Sequence, residues 1–322
     1  MKIKILFISV FLMNSVYSQQ LAQHSQYLRN QYMVNPGSAG VYDFTDITLS
    51  GRQQWQNFIN APVTTYFSIA APLAKKVREV YNPAIRTSHE PVKNPEVHTG
   101  KFKHAVGGQV FVDQYGAFRK TEIAGTYAIH LPLSKNYNLS FGTKVGLSNN
   151  KFMEDKALVL NAGLDNNYIT YLSNQTNKNI VNLGMGFYLY SKKLFFGISA
   201  DQLTKETISS RNTSLTFNSM IHTKILGGYK IDLNNNFTLT PSFLVKYMSP
   251  TPLTIEVSTQ FEFKEWIWMA ISYRHKDAVI GMFGLNISEK FKLGYSYDYT
   301  ISNISSYSRG GHELVLGIML GR

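Results

Sequence analysis

Residues 291–299 of this chain read FKLGYSYDY, and large apolar or aromatic side chains alternate there with small or polar ones. One face carries phenylalanine, leucine and three tyrosines, and the other carries lysine, glycine, serine and aspartate. Because side chains of a β-strand point alternately to opposite faces, this pattern predicts a strand with one apolar and one polar face. Such a strand suits a wall between lipid and a polar lumen.

The same alternation recurs along most of the chain, for example over residues 139–148, LSFGTKVGLS. Many of these segments reach about ten residues, the length that a tilted strand needs to cross a bilayer. We count about 14 of them, an even number as in bacterial single-chain barrels. The sequence therefore predicts an all-β protein, a transmembrane antiparallel up-and-down β-barrel over residues 42–322.

The connections between the predicted strands support this topology. Residues 191–193, 234–236, 264–265 and 288–290 are short links, whereas residues 150–180, 203–220 and 301–311 are long ones. Short and long connections fall at opposite ends of the predicted barrel. Outer-membrane barrels have short periplasmic turns and longer external loops, so the pattern also predicts the orientation.

The first residues are typical of an export signal. Lys2 and Lys4 precede the apolar run Ile5–Met13, and the small residues Val16 and Ser18 precede Gln19. We expect residues 1–18 to be a signal peptide; a buried N-terminal helix is the alternative. Residues 19–41 do not alternate and are rich in amides, so we expect a periplasmic or lumenal segment there.

Composition narrows the function. The 322 residues include no cysteine, which excludes disulfides, thiolate metal ligands and a cysteine nucleophile. The net charge is +12. A basic protein can bind nucleic acid, anionic lipid or acidic proteins, but export leaves outer-membrane lipid and protein partners and makes nucleic acid an unsuitable one.

One connection departs from the pattern. Residues 73–103 link an even-numbered strand to an odd-numbered one, where a short periplasmic turn is expected, yet the link spans about 30 residues. It is interrupted by prolines and is strongly basic. It is either a solvated insertion or a docking element for a periplasmic partner. The residues that would contact such a partner are Lys75, Lys76, Arg78, Arg86, Lys93 and Lys101.

Charged residues fall on the predicted lumen face. A lysine or arginine facing lipid at mid-depth would cost about 2–4 kcal/mol, so these charges are expected inside. They predict either an ion-pair network that closes a narrow lumen or the lining of a selective channel. The lumen charges are Arg52, Glu122, Lys144, Lys224, Glu256, Glu262, Arg274 and Asp298. Aromatic girdles at the strand ends are predicted from Trp55, Tyr66, Tyr229, Trp266, Trp268, Tyr273 and Tyr299.

Catalytic and cofactor signatures are absent from the sequence. No two histidines have the spacing of metal ligands on a helix, and there is neither a G-x-S-x-G elbow nor a phosphate-binding loop. His312 and Glu313 are neighbours on a strand and would face opposite ways. We therefore expect no cofactor, no metal and no enzymatic activity.

Several blocks in order resemble the PorP/SprF family of outer-membrane proteins of the Bacteroidetes type IX secretion system. The resemblance covers nearly the whole mature chain and rests on residues 26–27, 32–40, 55–58, 61–62, 113–116, 127–133, 139–142, 273–274, 294–299 and 311–314. Its signature positions include Asn35, Pro36, Gly40, Trp55, Ala61, Pro62, Tyr297, Asp298, Tyr299, His312 and Glu313.

The resemblance implies a barrel that assists secretion or surface anchoring of adhesins or gliding-type proteins. It implies recognition of one adhesin through its C-terminal domain, and association with periplasmic and outer-membrane components of the machine. The alternatives are a pore or transporter for small solutes, and an outer-membrane lipase or protease, for which no sequence pattern is found.

Overall fold

The protein is a closed barrel formed by one antiparallel sheet. A computed structural model describes residues 23–73, 97–161, 163–173, 177–204, 220–249 and 251–321. The strands are β1 (Thr45–Gln53), β2 (Val63–Pro72), β3 (Lys103–Tyr115), β4 (Phe118–Pro132), β5 (Asn138–Phe152), β6 (Asn177–Tyr190), β7 (Leu194–Asp201), β8 (His222–Tyr229), β9 (Ile231–Asp232), β10 (Phe237–Met248), β11 (Thr254–Phe263), β12 (Ile267–Arg274), β13 (Ala278–Asn286), β14 (Phe291–Thr300) and β15 (Gly311–Leu320).

The pieces β8 and β9 are one strand, which gives 14 strands in the barrel wall. Both pair with β10 in the same register, through Ser242 opposite Gly228 and Leu239 opposite Ile231. The interruption lies beside Pro241 of β10, which has no N–H to donate to a neighbouring strand. The prediction of an antiparallel barrel of about 14 strands is confirmed.

The first and last strands close the barrel. β1 pairs with β15 from Thr45 opposite Leu320 to Gln53 opposite His312. Every other strand pairs with its neighbours in the chain, as in an up-and-down barrel. Closure leaves the strands of the described wall without a free sheet edge, which a bilayer would not tolerate.

The two ends of the barrel differ. One end, which we call the short-turn end, carries the turns 133–137, 191–193, 233–236, 264–266 and 287–290. The opposite end, the loop end, carries the connections 54–62, 153–176, 202–221 and 301–310, besides three short ones. Because β5 and β6 extend beyond the predicted strands, the loop expected at 150–180 is shorter than predicted. Among the described residues, the helices are one α-helix, α1 (Asn166–Ser173), and the 3₁₀ turns Gln31–Met33, Pro36–Ser38, Glu154–Lys156 and Asn303–Ser306.

The outer surface of the wall is apolar. Outward side chains such as Leu49, Ile123, Ile271 and Phe283 are 45%, 62%, 62% and 54% exposed. A continuous exposed apolar surface of this kind is stable against lipid rather than water. Within the described residues no helix is long and apolar enough to cross a membrane.

The prediction of aromatic girdles is wrong for two residues. Tyr66 and Trp268 are each 2% exposed and lie in the lumen, because each shares the parity of the polar lumen residues of its strand. Tyr229, Trp266, Tyr273 and Tyr299 are exposed on the outside near strand ends, as a girdle requires.

Candidate functional site

The lumen contains residues 23–44, which we call the plug. The plug begins beside the loop-end half of the wall, at Gln23, and reaches the short-turn end at Arg29. It then turns back to mid-depth at Asn35 before it leaves at the short-turn end through Val41. The chain therefore crosses the interior before it enters β1.

Ser25 fastens the plug in the loop-end half. Its N–H donates to Glu313 Oε2 at 2.7 Å, and its hydroxyl donates to Asp298 Oδ1 at 2.9 Å. The same hydroxyl accepts hydrogen bonds from Arg52 Nη1 at 2.7 Å and Arg274 Nη2 at 3.1 Å. Ser25 thus binds four charged side chains that belong to four strands.

The segment Asn35-Pro36-Gly37 is seated at mid-depth on glycines of the wall. The Asn35 amide donates to the backbone oxygens of Phe187 at 2.9 Å and Ile198 at 3.2 Å. A Cβ at Gly186 would lie 2.1 Å from Asn35 Oδ1, and one at Gly142 would lie 2.4 Å from the Pro36 backbone. Only glycine permits this approach, since real side chains would clash.

Apolar packing also holds the plug. Tyr27 and Val34 pack in one buried cluster with Tyr188, Leu226 and Leu244 of the wall. Tyr32 packs in a second cluster with wall alanines, and its hydroxyl donates to Thr126 Oγ1 at 2.9 Å. Burial of this surface contributes about 25 cal/mol per Å² toward retaining the plug inside the barrel.

The plug leaves the lumen through a tight exit. The Ala39 oxygen lies 2.8 Å from His130 Nε2, and the Val41 oxygen accepts a hydrogen bond from Lys103 Nζ at 2.9 Å. Between them, Gly40 has φ +70, and a Cβ there would lie 2.3 Å from Ala105. A residue with a side chain would be strained as well as crowded at this position.

Four of the predicted lumen charges meet in one ion-pair cluster. Arg52 lies 2.7 Å from Asp298, and Arg274 lies 2.9 Å from Glu256 and 3.1 Å from Asp298. Glu313 joins through Arg52 at 3.3 Å. All five are buried.

Three more of the predicted lumen charges, Glu122, Lys144 and Lys224, belong to a second ion-pair cluster on the lumen side of the wall. Lys144 lies 3.3 Å from Glu122 and 2.7 Å from Asp201, and Lys224 lies 2.7 Å from Asp201. Asp201 is the centre of this cluster and was missed from the sequence. It is the last residue of β7 and its parity could have identified it.

Glu262 stands apart from both clusters. It is buried near the short-turn end and lines an open cavity of about 170 Å³ together with plug and turn residues. Lys292, which the sequence places on the polar face of its strand, lies 2.7 Å from Asp46 and lines the same cavity. Asp46 was missed from the sequence.

The signature positions form two groups in space. Asn35, Pro36 and Gly40 belong to the plug, and Asp298 and Glu313 bind it through Ser25. The others lie at the loop end, where the β1–β2 and β14–β15 loops are joined. They are Trp55, Ala61, Pro62, Tyr297, Tyr299 and His312.

That junction is a set of backbone and side-chain hydrogen bonds. Gln56 N–H donates to Gly310 O at 2.9 Å, and Arg309 N–H donates to Gln56 O at 3.0 Å. His312 Nε2 lies 3.2 Å from Gln56 Oε1, and the Tyr297 hydroxyl donates to Arg309 O at 2.9 Å. His312 faces outward and Glu313 faces the lumen, as expected for strand neighbours.

The structure describes one of the six predicted partner-binding residues of the connector. Lys75, Lys76, Arg78, Arg86 and Lys93 lie outside the described residues, and Lys101 is exposed at the short-turn end. No group of three or more His, Asp or Glu side chains in the described ranges could hold a metal ion.

Comparison with known proteins agrees with this architecture. The family model for the type IX secretion system membrane protein PorP/SprF matches residues 16–318. The chain belongs to this family. The PorP/SprF resemblance noted in the sequence is thereby confirmed, and the barrel is a secretion-related protein of the outer membrane. No curated protein matches the chain significantly.

Solved outer-membrane barrels share the fold of this PorP/SprF protein at very low identity. The TodX deltaS2S3 mutant monoaromatic hydrocarbon channel matches with a TM-score of 0.50 and 8% identity, covering 91% of this chain and 94% of that one. The CymD monoaromatic hydrocarbon channel gives 0.49 and 10%, covering 93% and 92%. Omp33 of Acinetobacter baumannii gives 0.43 and 8%, covering 87% and 99%.

Proposed function

We propose that this protein assists the secretion or surface anchoring of an adhesin- or gliding-type protein by the type IX system, as a docking barrel and not as an enzyme. Residues 1–18 act as a signal peptide that directs it to the outer membrane of a Bacteroidetes-type cell. The protein recognises its cargo through the C-terminal domain of that cargo.

The observation that carries this proposal is the occupied lumen. The plug is held by Ser25 in the loop-end half, by Asn35 at mid-depth and by Val41 at the short-turn end. The described residues of the plug therefore obstruct the lumen as a conduit for a folded protein. This supports contacts with other molecules at the two ends of the barrel and at its lipid-facing wall.

The loop end offers an apolar contact surface. Leu158, Leu160 and Leu164 of the β5–β6 loop are 80%, 103% and 82% exposed. Asn60 Nδ2 donates to Lys156 O at 3.1 Å, and Gly116 N–H donates to Asn60 O at 3.1 Å, so this loop is tied to two others. We propose that this surface meets the secreted protein, since exposed leucines on a supported loop favour protein contacts.

The short-turn end faces the periplasm in this proposal, following the general rule for outer-membrane barrels. The basic connector, with Lys101 among its residues, contacts periplasmic components of the secretion machine. Deletion of residues 76–99 tests this part. Secretion and complex formation should then fall, and unchanged behaviour would show that the connector is only an insertion.

A surface-protein inventory tests the proposal as a whole. Cells that lack the barrel should lose one or a few large adhesin-type proteins from their surface while other outer-membrane proteins remain. The triple change Leu158→Ser, Leu160→Ser and Leu164→Ser should reproduce this loss although the barrel is present at its normal level. An unchanged inventory in the deletion strain would contradict the proposal.

The alternative is a pore or transporter for small solutes, and the similarity to hydrocarbon channels is the observation that favours it. Conductance of the purified protein in a planar bilayer separates the two. The occupied lumen predicts no stable open conductance. A large, stable open conductance would contradict the docking function and support the pore.

A further inference from the structure

The short-turn end contains a cavity that the proposed function does not use. It lies between the bend of the plug at Leu28 and Arg29 and the turn Ser191–Lys193, is open to solvent, and has a volume of about 170 Å³. Drug-sized ligand pockets are larger, at about 300–1,000 Å³. The space therefore admits one or two side chains of a peptide whose backbone remains at the solvent-exposed mouth.

The charge of this cavity is predominantly positive. Its lining includes Arg29, Lys192, Lys193, Lys230 and Lys292, against Asp46 and Glu262. Two of the cations are paired, because Lys292 lies 2.7 Å from Asp46 and Lys193 lies 3.0 Å from Asp232. In the described part of the chain, no carboxylate lies within ion-pair distance of Arg29, Lys192 or Lys230.

Arg29 is held in position before any ligand arrives. Its Nη2 donates to Asn286 Oδ1 at 2.8 Å, and its guanidinium carbon lies 5.0 Å from the centre of the Trp268 ring. A guanidinium fixed on an aromatic face retains donors for a planar carboxylate. The positive charge is thus preorganised, which lowers the entropy cost of binding.

The accessible apolar lining of the cavity includes two aromatic rings. Tyr42 and Phe195 are partly exposed, whereas Tyr188, Tyr190 and Phe44 of the same lining are buried. Partly exposed aromatic rings in a pocket accept an apolar or aromatic side chain, whereas a cationic rim attracts carboxylates.

We propose that this cavity binds an acidic peptide segment of a periplasmic protein, with an aromatic or large apolar side chain against Tyr42 and Phe195 and carboxylates on Arg29, Lys192 and Lys230. The proposal depends on the proposed function only in placing this end of the barrel in the periplasm.

The structure favours a peptide over other occupants. Lipid headgroups surround the outside of the wall, whereas this cavity opens inside it. Residues 74–96 of the connector contain five lysines or arginines and three glutamates, so their net charge does not complement the cavity. A free phosphate would match the charge but would make no use of Tyr42 and Phe195.

Fluorescence anisotropy on the full-length barrel in detergent micelles tests the proposal. The probe is a fluorescein-labelled ten-residue peptide of glutamates and two tyrosines, and its matched control has lysine in place of each glutamate. We expect micromolar affinity for the acidic peptide only. The double change Lys192→Glu and Lys230→Glu should weaken binding about tenfold, whereas Lys135→Glu with Lys264→Glu, at the same end but outside the cavity, should change it less than about twofold.

Three outcomes would overturn the proposal: equal binding of the two peptides, equal loss in the two double variants, or complete displacement of the probe by inorganic phosphate at matched charge. A second readout covers a variant that fails to fold. Because the chain has no cysteine, Thr240→Cys inside the cavity supplies a single thiol that the acidic peptide should protect from maleimide. A thiol in Asn136→Cys, on a different turn, should react unchanged. Neither assay measures secretion, so failure here is distinguishable from failure of the proposed function.

Discussion

The charged residues are arranged differently at the two ends of the lumen. In the loop-end half, Arg52, Arg274, Glu256 and Asp298 form a closed cluster that also binds Ser25 of the plug. At the short-turn end, the cavity holds more cations than carboxylates and is open to solvent. Both regions belong to the same wall, and their strands have the same alternation.

This difference distinguishes charges that stabilise the fold from charges that can bind a ligand. A buried ion needs a partner, because burial without one costs several kcal/mol. The loop-end charges form ion pairs with one another and hydrogen bonds with the plug, so they stabilise the closed lumen. The cations at the mouth remain in contact with water and can exchange it for an anionic ligand.

The largest expected effect tests the loop-end cluster. Arg274→Leu should lower the free energy of unfolding by about 3–5 kcal/mol, because it leaves Glu256 and Asp298 buried without that partner. Lys192→Leu at the open mouth should leave stability nearly unchanged. Urea unfolding followed by tryptophan fluorescence measures both. A loss below about 1 kcal/mol for Arg274→Leu would mean that the cluster is solvated.

A smaller effect is expected where the plug rests on the wall. Gly186→Val should destabilise the protein by about 1–3 kcal/mol, because a Cβ there would lie 2.1 Å from Asn35 Oδ1. Gly281→Val is the matched control, since that glycine is also in a strand but a Cβ there would have no neighbour within 4 Å. Maleimide labelling of Val34→Cys, a plug position next to Asn35 that is 4% exposed, should rise in the first variant only. Equal labelling in both would show that the glycine seat does not hold the plug.

The smallest effect distinguishes two lysines of the second cluster. Lys224→Ala should cost about 1 kcal/mol, because Asp201 retains Lys144 at 2.7 Å and the Lys224 side chain is 18% exposed. Lys144→Ala should cost more, since Lys144 serves both Asp201 and Glu122. Thermal unfolding of the two variants provides the comparison, and the reverse order would contradict the assigned roles.

Much of the barrel was predictable because its signal is local. The period of two assigns each side chain to lipid or lumen, so Arg52, Lys144 and Arg274 could be placed inside before any contact was known. The same parity places Tyr66 and Trp268 in the lumen, and the girdle assignment failed there because it considered position along the strand and ignored the face.

The partners of these charges were not predictable. Asp201 and Lys144 are on strands β7 and β5, which are not neighbours, and Ser25 meets residues from β1, β12, β14 and β15. Strand parity states which face a residue occupies but not which residues face it across the lumen. The seat of Asn35 on Gly186 also depends on a backbone approach between segments about 150 residues apart, for which the sequence contains no periodic signal.

By itself, the sequence determined the strand pattern, the number of strands, the parity of every wall residue and the family, because each of these depends on neighbours along the chain. Tertiary structure alone decided that the N-terminal segment fills the lumen, that the loop-end charges neutralise one another, and that the short-turn end retains an open basic cavity. The physical reason is closure: once the sheet joins β1 to β15, residues far apart in the chain share one small interior, where packing and desolvation select their partners.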